Sequence, residues 1–159
     1  KRLKTTFESL GFTRVTTYIN SGNILFENST KHQVEIAPLI EEAIKREFLL
    51  DIKTIVVSSD HLNSICLEIP PTWVKNKEMR TDVMFLWEEF DHPSVISKFQ
   101  INPVDNVKYV PGAILWNVRE GDYNKSGLNK LVGTKLYKHM TIRNVNTVRK
   151  LQEMVSKNI

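Results

Sequence analysis

The sequence predicts an α+β fold, and three observations carry the prediction. Apolar stripes at helical spacing alternate with short β-branched runs. Those runs come in pairs joined by turn residues. One order of elements occurs twice along the chain. In the first third, Leu3, Phe7 and Leu10 recur at helical spacing, and Gly11 stands where a helix stops. Val15–Ile19 and Asn23–Phe26 are rich in β-branched and aromatic residues and read as a β-hairpin, with Gly22 expected to supply the positive φ of the tight loop. Leu39, Ile40, Ala43, Ile44 and Phe48 form one apolar helical stripe, with Glu41, Glu42, Lys45 and Arg46 on the wet side and Pro38 expected in the first turn. Ile52–Val57 reads as a strand.

Beyond Asp60, taken as a helix N-cap, Leu62, Ile65 and Cys66 predict a short helix that Pro70-Pro71 ends. Val83–Trp87 is the continuous apolar run of a buried central strand, and Pro93–Phe99 reads as a short helix. Val107–Val110 and Ala113–Val118 form a hairpin through Pro111-Gly112, a type II turn pair. Ser126 is expected to cap a helix with Leu128, Leu131, Val132, Leu136 and Met140 on one face. A short strand over Met140–Ile142 leads into a last helix striped by Val145, Val148, Leu151 and Val155. The order strand, helix, strand, strand, helix, strand is that of a ferredoxin-like split unit. The full expectation is therefore two tandem ferredoxin-like halves, residues 1–59 and 60–159, the first lacking its opening strand, plus an extra C-terminal helix. Because that opening strand is central in such a sheet, a preceding segment or another chain is expected to fill its place.

Composition narrows the class. With 41% hydrophobic and 25% charged residues the chain is an ordinary globular protein rather than a disordered one. No apolar run approaches the roughly 20 residues of a membrane-spanning helix. The single cysteine, Cys66, has no partner for an internal disulfide or zinc site and sits between Ile65 and Leu67 as a small core residue. These features suit the cytoplasm, without a membrane role. The net charge of +4 is unevenly spread: residues 123–159 hold eight basic residues against one acidic. Such asymmetry favours an anionic small molecule or nucleic acid as partner.

Most motif candidates fail on spacing. Gly127–Lys135, GLNKLVGTK, lacks the four-residue glycine spacing and the Lys-Ser/Thr order of a phosphate loop. His32, His61, His92 and His139 share no metal-ligand spacing, so no metal or cofactor is expected. The adjacent pairs Glu41-Glu42 and Glu88-Glu89 point different ways on a helix or strand and form no acid–base dyad. Trp73, Trp87 and Trp116 read as core or interface residues. The segment Thr141–Thr147 is different. Asn144 is a good N-cap for the last helix, whose free N–H groups and positive end lie beside Arg143, with Lys130 one helix earlier. The hairpin knot carries Asn20, Ser21 and Asn23, more polar groups than turn chemistry demands. These six residues are the candidate ligand-binding set.

Two stretches also carry a family resemblance. Thr17–Phe26, TYINSGNILF, and Thr141–Leu151, TIRNVNTVRKL, resemble the signature stretches of a bacterial domain-of-unknown-function family, number 1697. Its relatives begin with a strand and loop similar to LLRGINVGG, which this sequence does not contain, and often have Trp where this chain has Val145. The resemblance implies paired ferredoxin-like halves and supplies no activity, cofactor or catalytic residue. The functional expectation is a module that binds an anionic ligand (nucleotide, phosphate or nucleic acid) at a basic helix N-terminus. The alternatives are an enzyme of unassigned reaction class using polar loop residues, or an interaction protein without a small ligand.

Overall fold

The computed structural model describes all of residues 1–159 except Ser21, Val132, Asn158 and Ile159. It is an α+β protein with two antiparallel sheets, and it divides into two compact units, Lys1–Val56 and Val57–Ile159.

The first unit comprises helix α1 (Arg2–Ser9), strands β1 (Thr13–Tyr18) and β2 (Asn23–Glu27), and helix α2 (Gln33–Phe48). Gly11, at φ 93°, ends α1 in the left-handed region that glycine adopts without steric cost. The two strands pair antiparallel, with Tyr18 opposite Asn23. Between them the left-handed conformations fall on Ile19 and Asn20, at φ 56° and 54°, and not on Gly22, where the sequence placed them. Asn tolerates this region; for β-branched Ile19 it is a strained one. Helix α2 begins earlier than its apolar stripe, so Pro38 lies inside the helix rather than in its first turn. The core is built from Phe7, Phe12, Val15, Ile36, Ile40 and Ile44. The rings of Phe7, Phe12 and Phe26 meet in tilted and edge-on contacts at 4.4–6.0 Å.

The strand expected over Ile52–Val57 does not form: among the described residues no neighbouring strand offers it a ladder. Side chains of α2 hold the segment instead. Thr54 N–H donates to Glu41 Oε2 at 2.6 Å, and Gln33 Nε2 donates to the Val56 carbonyl at 3.2 Å.

The second unit begins with α3 (Ser59–Leu67). Its cap is Ser58, whose side chain accepts from His61 N–H at 3.1 Å; Asp60 lies in the first turn, where its charge suits the helix dipole. Strands β3 (Met79–Leu86), β4 (Asn106–Val110), β5 (Ala113–Arg119) and β6 (Met140–Asn144) form a sheet in the order β4-β5-β3-β6. The β4–β5 turn has Gly112 at φ 94°, as its Pro-Gly sequence predicts. Helix α5 (Val145–Lys157) follows β6 directly.

The connections are less helical than expected. Pro93–Lys98 is a 3-10 segment. The helix expected beyond Ser126 shrinks to α4 (Leu128–Leu131), followed by a 3-10 segment, Lys135–His139. Thr134 supplies the break: its backbone N–H and its hydroxyl both donate to the Leu131 carbonyl, at 3.0 and 2.7 Å. Val132, expected on the face of that helix, lies outside the described residues.

One face of the sheet carries Met84, Leu86, Ile114, Trp116 and Met140 under Val95, Leu128 and Leu131. Alternation sends Val83, Leu115 and Arg143 to the other face. Trp116 is fully buried within this unit's own core, 5.7 Å from the Phe99 ring.

Candidate functional site

Strand β3 changes character along its length. Its buried end presents Met84 and Leu86 to the core, and the same face continues toward the strand start as Asp82 and Arg80. Asp82 lies opposite Trp116 of β5 on one side and Asn144 of β6 on the other. Beyond this polar end the sheet face opens into a cleft of about 310 Å³. Lys75, Arg80, Asp82 and Asn144 line it together with Tyr123, Tyr137, Leu128, Leu131 and Ile142.

Each polar group is positioned by local structure. Asn76 Oδ1 accepts from Glu78 and Met79 N–H at 2.8 and 2.9 Å, folding the turn that precedes β3. The Lys75 carbonyl accepts from Asn146 Nδ2 at 3.2 Å, which ties that turn to the start of α5. Asn144 Oδ1 accepts from Thr147 N–H at 3.1 Å and so caps α5, as expected for this residue type. The Arg80 guanidinium lies 4.3 Å from the centre of the Tyr123 ring, and its Nε donates to Asp82 Oδ2 at 3.3 Å.

Asp82 is only 5% exposed, and burial pushes its carboxyl above the ordinary range. Arg80 and Lys75 act against that shift, while Glu120 adds to it. The Arg80 side chain is about one third exposed, so the pair has a buried anionic end and a cationic end at the cleft mouth.

The sequence-derived candidates separate by face and by unit. Asn144 lines the cleft. Arg143, its neighbour, starts from the opposite face of β6, where Nη1 donates to the Ile142 carbonyl at 2.9 Å and burial lowers the guanidinium pKa. Lys130 is exposed on α4 and is not part of the lining. Asn20 and Asn23 belong to the first unit, where Asn20 is exposed in the hairpin loop and Asn23 Nδ2 donates to the Tyr18 carbonyl at 3.2 Å. Ser21 lies outside the described residues.

Lys75, Arg80, Asp82, Tyr123 and Tyr137 were not marked by any motif. A usable signal existed in MRTDVMFL: charged residues two apart on one face of a strand that is otherwise apolar. Among the described residues no three His, Cys, Asp or Glu side chains come together as a metal site, and no helix is long and apolar enough to cross a membrane.

A second, half-buried carboxylate serves the fold. Asp105 Oδ1 accepts from Trp116 Nε1 at 3.0 Å and Ser126 Oγ at 2.5 Å; Oδ2 accepts from Asn102 and Gly127 N–H, each at 2.9 Å. Burial works to raise its pKa, but the four donors outweigh burial and hold it below the ordinary carboxylate value.

Fold and cleft together define an α+β protein whose second unit offers a small polar pocket at one end of an antiparallel sheet. Residues 1–116 match the family described as Protein of unknown function (DUF1697), and the chain belongs to that family. Among solved structures it is similar to the conserved bacterial protein SP0830 from Streptococcus pneumoniae, with 25% sequence identity and a TM-score of 0.82. The match covers 96% of this chain and 86% of that one. No curated protein matches.

Proposed function

We propose that the second unit binds a small anionic ligand, a phosphate-bearing molecule of nucleotide size, in the cleft at the start of β3. The observation that carries this reading is a set of uncommitted donors. Among the described residues Arg80 gives only Nε to a protein acceptor, and its two terminal nitrogens donate to none. The Lys75 ammonium and the Tyr123 and Tyr137 hydroxyls likewise donate to no protein group there. A guanidinium fork matches the oxygen spacing of phosphate. The start of α5 adds roughly 0.3–1 kcal/mol for an anion, and the tyrosine rings offer planar apolar surface. The cleft volume is at the small end of ligand sites, which favours a single small molecule over the extended track of a nucleic-acid backbone.

In this reading Asn144 acts at the site, while Arg143 and Lys130 contribute to the positive field around it. The fold reading that accompanies it is ferredoxin-like for the second unit. Its support is the strand order β4-β5-β3-β6, which places the first strand of the unit between the last and the third. The first unit is read as the same arrangement lacking its opening strand, supported by the extended, ladder-free segment after α2.

Titration with adenosine monophosphate, followed by NMR, tests the ligand reading. Shifts are expected at Arg80, Tyr123 and Asn144, with affinity falling about tenfold or more in Arg80→Ala and less than twofold in Arg149→Ala. Equal losses from the two variants would show diffuse attraction to a basic surface and would end the case for the cleft.

A further inference from the structure

We infer that Asp82 is the group an anion displaces from Arg80, so that binding in the cleft takes up one proton at the Asp82 carboxyl. The inference rests on the anion reading above and adds a property that reading does not require. Its basis is the geometry of the pair. Asp82 forms part of the cleft lining at the sheet, and Arg80, on the same face of β3 two residues earlier, reaches it by a single contact of 3.3 Å through Nε. A single, long contact is weaker than the two-point contact a tetrahedral oxyanion makes with the fork of a guanidinium. An anion seated on Arg80 therefore removes part of the counter-charge that Asp82 has and adds a like charge beside it.

Little else in the surroundings compensates. From the turn before β3, Lys75 brings one positive charge, and an anion in the cleft attracts that charge as well. From the 3-10 segment after β5, Glu120 adds negative charge, and Tyr123 lines the cleft. Tyr137, on the segment before β6, lines the cleft too, and Asn144 of β6 carries no charge and has its Oδ1 engaged by Thr147. Trp116 of β5 directs its indole N–H to Asp105, not to Asp82. Leu128 and Leu131 of α4 are apolar. With its counter-charge shared, the buried carboxylate is left to be neutralised by a proton from solvent, which bonds to a carboxyl oxygen with no other bond made or broken. The carboxyl is already raised by burial in the free protein, so the additional shift falls closer to neutral pH than it would for an exposed acid.

The probe is inorganic sulfate, which stays fully ionised across the range and contributes no titration of its own. The Asp82 side-chain carboxyl is followed by carbon-13 NMR from acid to neutral pH, with and without saturating sulfate. The expected result is an upward movement of the titration midpoint by about one pH unit. Sulfate affinity then falls by up to about tenfold per pH unit between the two midpoints. In Asp82→Asn that slope disappears, and sulfate binds at neutral pH at least as tightly as in the native protein. A midpoint that stays in place while sulfate occupies Arg80 overturns the inference and leaves the anion reading intact, as does an unchanged slope in Asp82→Asn. Absence of any sulfate effect on the Arg80 side-chain signal, at every pH, overturns both. The carboxyl titration is made on the native sequence, so it does not depend on the variant folding.

Discussion

In the second unit each of the four strands has a backbone partner, and the connections between strands are pinned by buried or half-buried polar groups. Asp105 gathers four donors from three parts of the chain, and Asp91 accepts from the Tyr109 hydroxyl at 2.6 Å and Gly112 N–H at 2.8 Å. Burial, with the neighbouring Asp91 charge and hydrogen bond, pushes the Tyr109 phenol up to about 12. In the first unit the described residues form a two-stranded hairpin sheet, an aromatic cluster forms much of the core, and side chains of α2 tether the segment that follows it. The contrast shows two ways to hold an extended segment. A ladder satisfies its N–H and C=O groups periodically and demands a neighbour. Side-chain tethers satisfy chosen groups and leave the rest to solvent. The cleft lies on the unit with the ladders, where Arg80, Asp82 and Asn144 are held by strands rather than by loops.

The largest expected effect is at Gly127. A Cβ there would stand 1.6 Å from the Gln100 carbonyl oxygen, which is backbone and cannot swing aside. Gly127→Ala should cost the second unit about 4 kcal/mol or more, measured by urea unfolding with tryptophan fluorescence. A native-like midpoint would show that the connection is looser than its geometry indicates.

Asp105→Ala comes next, at about 3 kcal/mol, because several buried donors lose an ionised acceptor at once. Its pH dependence has a definite sign. The folded pKa is lowered, so the stabilisation is fully present above the unfolded carboxylate value of about 4 and is lost as the pH falls through the lower folded value. The gap between native and variant stability should therefore close on acidification. A gap that widens would mean the carboxylate acts through something other than these hydrogen bonds.

The smallest effect belongs to the tether. Glu41→Ala removes the acceptor of Thr54 N–H at the cost of about 1 kcal/mol or less, since the contact is only partly buried. Amide exchange at Thr54 should accelerate while exchange in β3 and β5 stays slow. Protection at Thr54 that survives the change would mean its amide is held by some other acceptor.

Much of this architecture was legible because local chemistry and tertiary environment agree. Gly11 and Gly112 take the positive φ their positions ask for, the Val83–Trp87 run falls on a central strand as far as Leu86, and Asn144 caps α5. Ile52–Val57 has strand-like residues but no ladder, because β-propensity describes how well a residue fits a sheet, not whether one is beside it. The helix expected from Ser126 to Met140 failed at Gly133-Thr134, where local side-chain bonding ended it. Ser58 caps α3 where Asp60 was expected: both residue types serve as caps, and only the chain path decides between them.

By itself, then, the sequence determined the α+β class, the hairpins, the striped helices and the residue that caps α5, because each depends on neighbours within a few positions. The cleft was decided by tertiary structure alone. Lys75, Arg80, Asp82, Tyr123, Tyr137 and Asn144 span some seventy positions and meet only when β3 is laid between β5 and β6. Strand pleating then separates Arg143 from Asn144, neighbours in sequence whose side chains leave opposite faces of the sheet.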